Sequence, residues 1–185
     1  MKRVFLAISF HDNLILGQYI SNIQNKLLQE KIKWVAPKNT HLTLKFFGPI
    51  DDNRIENIKK TLKSTLENSS KLKISFNKLG IFGSRYQPRV LWMGMENAQS
   101  IVELESQIRN ALIEIGISYD RQNFVPHLTI ARIKQLQSKK YFQSVINRYS
   151  EFNSGPIDIN SVFLYQSILR PEGPIYKVLE EFKLK

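Results

Sequence analysis

"NTHLTLKF" (residues 39–46) and "VPHLTIAR" (residues 125–132) decide how this chain is read. Only three histidines occur, and two of them open the same tripeptide, His-Leu-Thr, followed by Leu44 in one copy and Ile130 in the other. Both stretches suit an extended strand, in which successive side chains alternate between faces. His41 and Thr43 then share one face, with Leu42 and Leu44 on the other. His127 and Thr129 oppose Leu128 and Ile130 in the same way. Each strand offers a core an apolar edge and offers the opposite side an imidazole and a hydroxyl.

The two histidines lie 127 − 41 = 86 residues apart. The same offset separates "VFLAISF", which begins at Val4, from "VLWMGME", which begins at Val90; both read as strands. Behind the first, Leu16, Tyr19, Ile20, Ile23 and Leu27 recur at helical steps after a cap at Asp12. Behind the second, Ile101, Leu104, Ile108, Leu112 and Ile115 do the same and stop at Gly116. Downstream, "DDNRIENIKKTLKSTLE" and "SKKYFQSVINRY" read as amphipathic helices, and "LKISFNKLGIF", "IDINSVFLYQSI" and "YKVLEEFKL" as extended runs. No linker or low-complexity segment separates the halves. The pattern predicts an α+β fold in which residues 1–185 form a single bilobal domain with an internal repeat, approximately 1–86 and 87–185. Two pseudo-symmetric lobes, each an antiparallel sheet packed with helices, would enclose one cleft.

Composition narrows the function classes. There is no cysteine, which removes disulfides, thiolate metal sites and thiol nucleophiles and fits a cytoplasmic location. The apolar run after Met1 soon meets His11 and Asp12, and no stretch reaches the length of a membrane span, so no membrane partner is expected. Twenty-seven Lys and Arg against sixteen Asp and Glu give a formal charge of +11. Such an excess concentrates polyanions and makes nucleic-acid affinity fall with salt. No long apolar heptad calls for an obligate oligomer, so a monomer is expected.

Two imidazoles and two hydroxyls in one basic cleft suit acid–base chemistry at phosphorus. An imidazole titrates near neutrality, so one ring can accept a proton while the other donates one. The pair can cleave a phosphodiester with no metal and no cofactor, each histidine contributing roughly 100- to 10,000-fold. The Thr hydroxyls can hydrogen-bond non-bridging oxygens as charge builds in the transition state. Zinc is a weaker reading, because two histidines without Cys or a nearby carboxylate form a poor ligand set. A serine hydrolase lacks its Gly-x-Ser-x-Gly elbow. His11, at a strand end before Asp12, is given no role.

Paired His-x-Thr-x motifs resemble those of the 2H phosphoesterase superfamily, and the surrounding text resembles its bacterial and archaeal RNA 2′,3′-cyclic phosphodiesterases, long labelled 2′-5′ RNA ligases. The likeness runs almost end to end: "RVFLAISF", "KWVAPKNTHLTLKFFG", "QPRVLWMGM", "FVPHLTIAR" and "LYQSILRPEGPIYKVLEEFKL". It implies hydrolysis of a ribose 2′,3′-cyclic phosphate to a 2′-phosphate. It also implies that His41 is the proton donor, His127 the proton acceptor, and Thr43, Thr129 and Arg132 the phosphate-binding residues. RNA with cyclic phosphate ends, fragments of transfer RNA among them, is the implied partner. The alternatives are 2′-5′ ligase or 2′-5′ phosphodiesterase activity, and a non-catalytic RNA-binding module.

Strict alternation places Arg132 on the face away from His127, and a bulge or strand end would be needed to turn it inward. Lys45 falls in phase with His41 and Thr43. Phe46, Tyr165, Trp34 and Phe47 are candidates to stack on a base. Arg85 and Arg170, in two loops, are candidates to touch the RNA chain.

Overall fold

Period-two patterning lays down ten strands among the residues the computed structural model describes, which are 1–84, 86–95, 98–119 and 123–185. In chain order the strands are β1 (Lys2–Ser9), β2 (Lys31–Trp34), β3 (His41–Ile50), β4 (Leu72–Ile74), β5 (Phe76–Ser84), β6 (Gln87–Met95), β7 (Leu128–Gln135), β8 (Ile157–Ile159), β9 (Ser161–Ile168) and β10 (Ile175–Lys183). The helices are α1 (Leu14–Lys26), α2 (Asp52–Leu66), α3 (Gln99–Glu114) and α4 (Lys139–Arg148). Side-chain caps start three of them. Asn13 accepts from Leu16 N, Asp51 from Arg54 N, and Ser138 from Tyr141 N; each cap contributes about 1 kcal/mol. The α1 cap is thus Asn13, one residue beyond the expected Asp12.

Two four-stranded sheets carry the fold, ordered β10-β9-β1-β3 and β2-β7-β6-β5, with a small β4-β8 ribbon, and every pairing is antiparallel. Helix α2 packs on α3 and α1 on α4. One continuous core runs through both sheets and includes Leu42, Leu44, Leu128 and Ile130. Full burial of each such side chain stabilises by about 1.5–3 kcal/mol, and a one-residue slip would move all four to the wrong face. The histidine faces are pinned by that arithmetic. No helix among the described residues is long and apolar enough to cross a membrane.

The sheets do not follow the sequence halves. β9 and β10, near the C-terminus, complete the sheet begun by β1 and β3. β2 crosses over to pair with β7, and the expected boundary near residue 86 falls inside the β5–β6 hairpin. Period-two patterning specifies which face of a strand is buried and leaves its neighbour open, so the exchange has no signature in the repeat. The register of the repeat also differs by one residue from the sequence reading. Ala7 lies across from Thr43 and Trp92 across from Thr129, an offset of 92 − 7 = 85 for the flanking strands against 86 for the histidine strands.

Matching bulges shape the two histidine strands. On β3, Leu44 is the extra residue between Thr43, which faces Ala7, and Lys45, which faces Leu6. On β7, Ile130 is the extra residue between Thr129, which faces Trp92, and Ala131, which faces Leu91. A bulge shifts the alternation by one from that point onward. The side chains that share a face are therefore His41, Thr43 and Phe46 on one strand, and His127, Thr129 and Arg132 on the other.

Candidate active site

The two sheets enclose a cavity of about 720 Å³ whose walls include His41, Thr43, His127, Thr129, Arg132 and Phe46. β3 supplies the first pair of motif side chains. His127, one residue before β7 begins, and Thr129 within it supply the second. Both imidazoles are held by the same device. His41 Nδ1 lies 2.6 Å from Asn39 O, and His127 Nδ1 lies 2.7 Å from Val125 O. A carbonyl oxygen only accepts, so each Nδ1 carries the hydrogen. In the neutral ring the proton-accepting nitrogen is then Nε2, the one left for a substrate in the cavity.

The carbonyl that orients His41 is itself anchored. Asn39 is buried in the short 3₁₀ turn Pro37–Asn39, and its Nδ2 donates to Pro174 O at 2.9 Å, tying the turn to the loop between β9 and β10. Aromatic rings fix the ring planes. The His41 ring lies 5.0 Å from Phe5 and 5.2 Å from Tyr176; His127 lies 4.8 Å from Phe82 and 6.3 Å from Trp92. Trp92 can lie this close to its strand neighbours because Gly80 and Gly94 present no Cβ where the indole sits. Any larger residue at Gly80 would collide with that ring and displace the wall behind His127.

Burial pushes the His41 pKa below the ordinary 6.5. Its hydrogen bond to Asn39 opposes that shift, and repulsion from His127 adds to it. Both rings line the same cavity. Burial also raises the Tyr176 phenol, while the charges of Arg132 and Arg3 pull it back down.

Arg132 lines the cavity because the Ile130 bulge reverses its phase, as the sequence required for an inward guanidinium. The equivalent bulge at Leu44 has the opposite consequence for Lys45. It turns Lys45 to the core-side face, where Nζ donates to Ser118 O at 2.8 Å and sits 3.7 Å from the Tyr119 ring centroid. Lys45 is therefore not a wall of the site. Tyr165 is also displaced from its expected place: it stacks on Phe5 at 5.2 Å, one layer behind the wall, and is buried. Phe47 packs against the core, whereas Trp34 and Arg170 do line the cavity. Arg85 lies outside the described residues. Sequence reasoning missed Arg3, Lys33, Asn39 and Tyr176, all of which line the cavity. Arg3 was open to detection, since it alternates in phase with Phe5 and Ala7 on β1. Lys33 becomes recognisable only once β2 is known to pair with β7, which sets Lys33 beside Arg132.

Comparisons with known proteins place the chain in a family and a fold. Residues 4–184 match the family model described as the AKAP7 2′5′ RNA ligase-like domain. A protein of Methanothermobacter thermautotrophicus named RNA 2′,3′-cyclic phosphodiesterase is 31% identical over 184 residues, covering 98% of this chain and 98% of its own. One of the same name from Methanocaldococcus jannaschii is 34% identical over 180 residues, covering 97% of this chain and 99% of its own. Among solved structures, TT0787 of Thermus thermophilus superposes with a TM-score of 0.80 at 23% identity, covering 98% of this chain and 97% of that one. E. coli LigT complexed with 3′-AMP gives 0.78 at 21% identity, covering 100% and 98%. At those identities the likeness to the two structures speaks for the fold.

Proposed function

The chain belongs to the 2′5′ RNA ligase-like family, and from that premise we propose that it is a phosphoesterase that opens the 2′,3′-cyclic phosphate at the end of an RNA to a 2′-phosphate. The observation that carries this reading is the twin tethering of the histidines. Both Nδ1 atoms are committed to backbone carbonyls, which leaves both Nε2 atoms for one cavity.

In the proposed step a water oxygen attacks phosphorus as the P–O3′ bond breaks. His127 Nε2 takes the water proton and His41 Nε2 gives its proton to the departing O3′. The products are a 2′-phosphate and a free 3′-hydroxyl, with His41 left neutral and His127 charged until solvent resets them. Displacement at phosphorus needs attacking and leaving oxygens on opposite sides, which fits bases supplied by two different sheets. Burial lowers the His41 pKa and so makes its imidazolium the stronger acid, while the anionic phosphodiester supplies the counter-charge that keeps it protonated on loading. Thr43, Thr129 and the Arg132 guanidinium donate to the non-bridging oxygens, where charge grows. The assignment of donor and acceptor follows the family resemblance.

The proposed step is driven by the two imidazoles and calls on no metal. RNA ends of this kind, including those of cleaved transfer RNA, are the proposed substrates of a monomeric enzyme. With the 5′-hydroxyl of a second RNA in place of water, the same two histidines would form a 2′-5′ linkage, so ligation is the reverse face of the same site.

The test is incubation of the purified protein with an oligonucleotide bearing a terminal 2′,3′-cyclic phosphate, in the presence of EDTA, and mapping of the product phosphate. A 2′-phosphate formed at an undiminished rate is expected. A 3′-phosphate, or complete loss in EDTA with recovery on zinc, overturns the proposal. RNA binding without turnover identifies the non-catalytic module instead.

A further inference from the structure

The two half-sites match position by position except at their third inward residue. Steps 0, 2 and 5 read His41, Thr43, Phe46 on β3 and His127, Thr129, Arg132 after the equivalent bulge near β7. The second half presents a guanidinium where the first presents a phenyl ring. That ring is not bare: the guanidinium carbon of Arg3, from β1, lies 4.6 Å from its centroid. A cation over an aromatic face is attracted by the ring quadrupole by about 0.5–1 kcal/mol at an exposed site. The first half-site therefore also carries a positive group, delivered from the neighbouring strand and parked on Phe46.

Three further observations define what this group faces. Arg3 lines the cavity. Among the described residues no ion pair engages Arg3, so its charge is not spent on a carboxylate. Arg3, Arg132 and Tyr176 all line the one cavity, and the charges of both guanidiniums pull the Tyr176 phenol down. Their levels differ, however. Thr43, which would hold the reacting phosphate, lies across from Ala7, whereas Phe46 lies across from Phe5, two residues further along β1. Two residues of strand span about 6.6 Å, a step comparable to that between successive phosphates along a single-stranded chain.

We propose that Arg3, seated on Phe46, binds the 5′ phosphate of the terminal nucleotide, and that this contact makes an RNA chain a better substrate than a nucleoside 2′,3′-cyclic phosphate. The proposal rests on the phosphoesterase reading above and adds its polymer selectivity. A basic groove that tracks the backbone beside an aromatic platform is a general solution for single-stranded nucleic acid. Here Arg170 also lines the cavity, and Lys33 adds a further cation beside Arg132 on the facing sheet.

The experiment compares three substrates: adenosine 2′,3′-cyclic phosphate, the same compound bearing a 5′-phosphate, and a short oligonucleotide with a cyclic end. In Arg3→Gln, kcat/KM for the two substrates with a 5′ phosphate should fall roughly tenfold to hundredfold, mainly through KM, as expected for loss of a charged hydrogen bond. The fall for the plain cyclic nucleoside should be at least about fivefold smaller. Arg132→Gln, which acts at the reacting phosphate, should lower all three by similar factors. Arg3→Lys should recover part of the oligonucleotide activity, and Arg3→Gln should flatten the salt dependence of oligonucleotide binding by a log–log slope of about 0.7. Equal losses on all three substrates in Arg3→Gln, or no loss on any, overturn the proposal. Failure of the wild-type protein to turn over any of them would instead remove the phosphoesterase reading. Arg3 is exposed, so the variant is expected to fold, and a thermal melt verifies it.

Discussion

β3 and the stretch from His127 through β7 carry the same tripeptide, the same one-residue bulge and the same Nδ1-to-carbonyl tether two residues upstream, and they end differently. After the β3 bulge comes Lys45 on the core side and Phe46 in the cavity. After the β7 bulge come a buried Ala131 and Arg132 in the cavity. The shared parts are those that the proposed paired proton transfer needs on both walls: an oriented ring and a hydroxyl donor. In the same proposal the parts that differ bind the remainder of a substrate, which is not symmetric. On the proposed reading, a two-fold site for a phosphorus centre with two like oxygens is made lopsided to read one RNA end.

Removing either ring tests the shared half most severely. His41→Ala and His127→Ala should each lower kcat about 100- to 10,000-fold, and the double variant should be little worse than the more damaged single one, because the pair acts as a unit. A variant that retained most of its activity would break the comparison. The hydroxyls come next. Thr43→Val and Thr129→Val should each cost roughly tenfold to hundredfold in kcat, the loss of one hydrogen bond to a charged oxygen, and unequal costs would show on which wall charge develops.

The bulges yield a smaller and opposite expectation. Lys45→Met should leave kcat/KM within about threefold of the wild type while lowering stability by about 1–2 kcal/mol, through loss of its bond to Ser118 O and its contact with Tyr119. Denaturant melts measure the second effect. A rise in KM at intact stability would mean that Lys45 faces the substrate and that the Leu44 bulge has been misread.

pH dependence is the mildest probe. The proposed step needs one proton on the histidine pair. Below the acid limb both rings are charged and no base remains. Burial of His41 and repulsion between the rings oppose that doubly charged state, so the acid limb of kcat/KM should lie below 6.5. Bound phosphate favours the charged rings, so the acid limb of kcat should lie at higher pH than that of kcat/KM.

Much of this was legible in the sequence. The four helices, the histidine strands and their apolar undersides follow from periodicity, and the two histidines that line one cavity follow from the duplication of their motif. The inward turn of Arg132 had a visible signal as well, since Ile130 and Ala131 are adjacent apolar residues and both are buried. At Leu44 no such signal exists. The next residue is a lysine, which reaches the core-side face only because a carbonyl and an aromatic ring from residues 118 and 119 await it there. The exchange of β2, β9 and β10 between sheets was equally hidden, because strand patterning encodes faces and not partners. Lys33 and Tyr176 entered the site through that pairing.

The most direct measurement follows the three imidazoles by NMR while a nucleoside 2′-phosphate, the expected product end, is titrated in. The account predicts that the ring signals of His41 and His127 move together along a single one-to-one isotherm and that both rings become harder to deprotonate, while His11, which contacts Ser9 and Asp12 in a separate depression, stays still. Movement of only one of the pair, or two separate binding events, would contradict it.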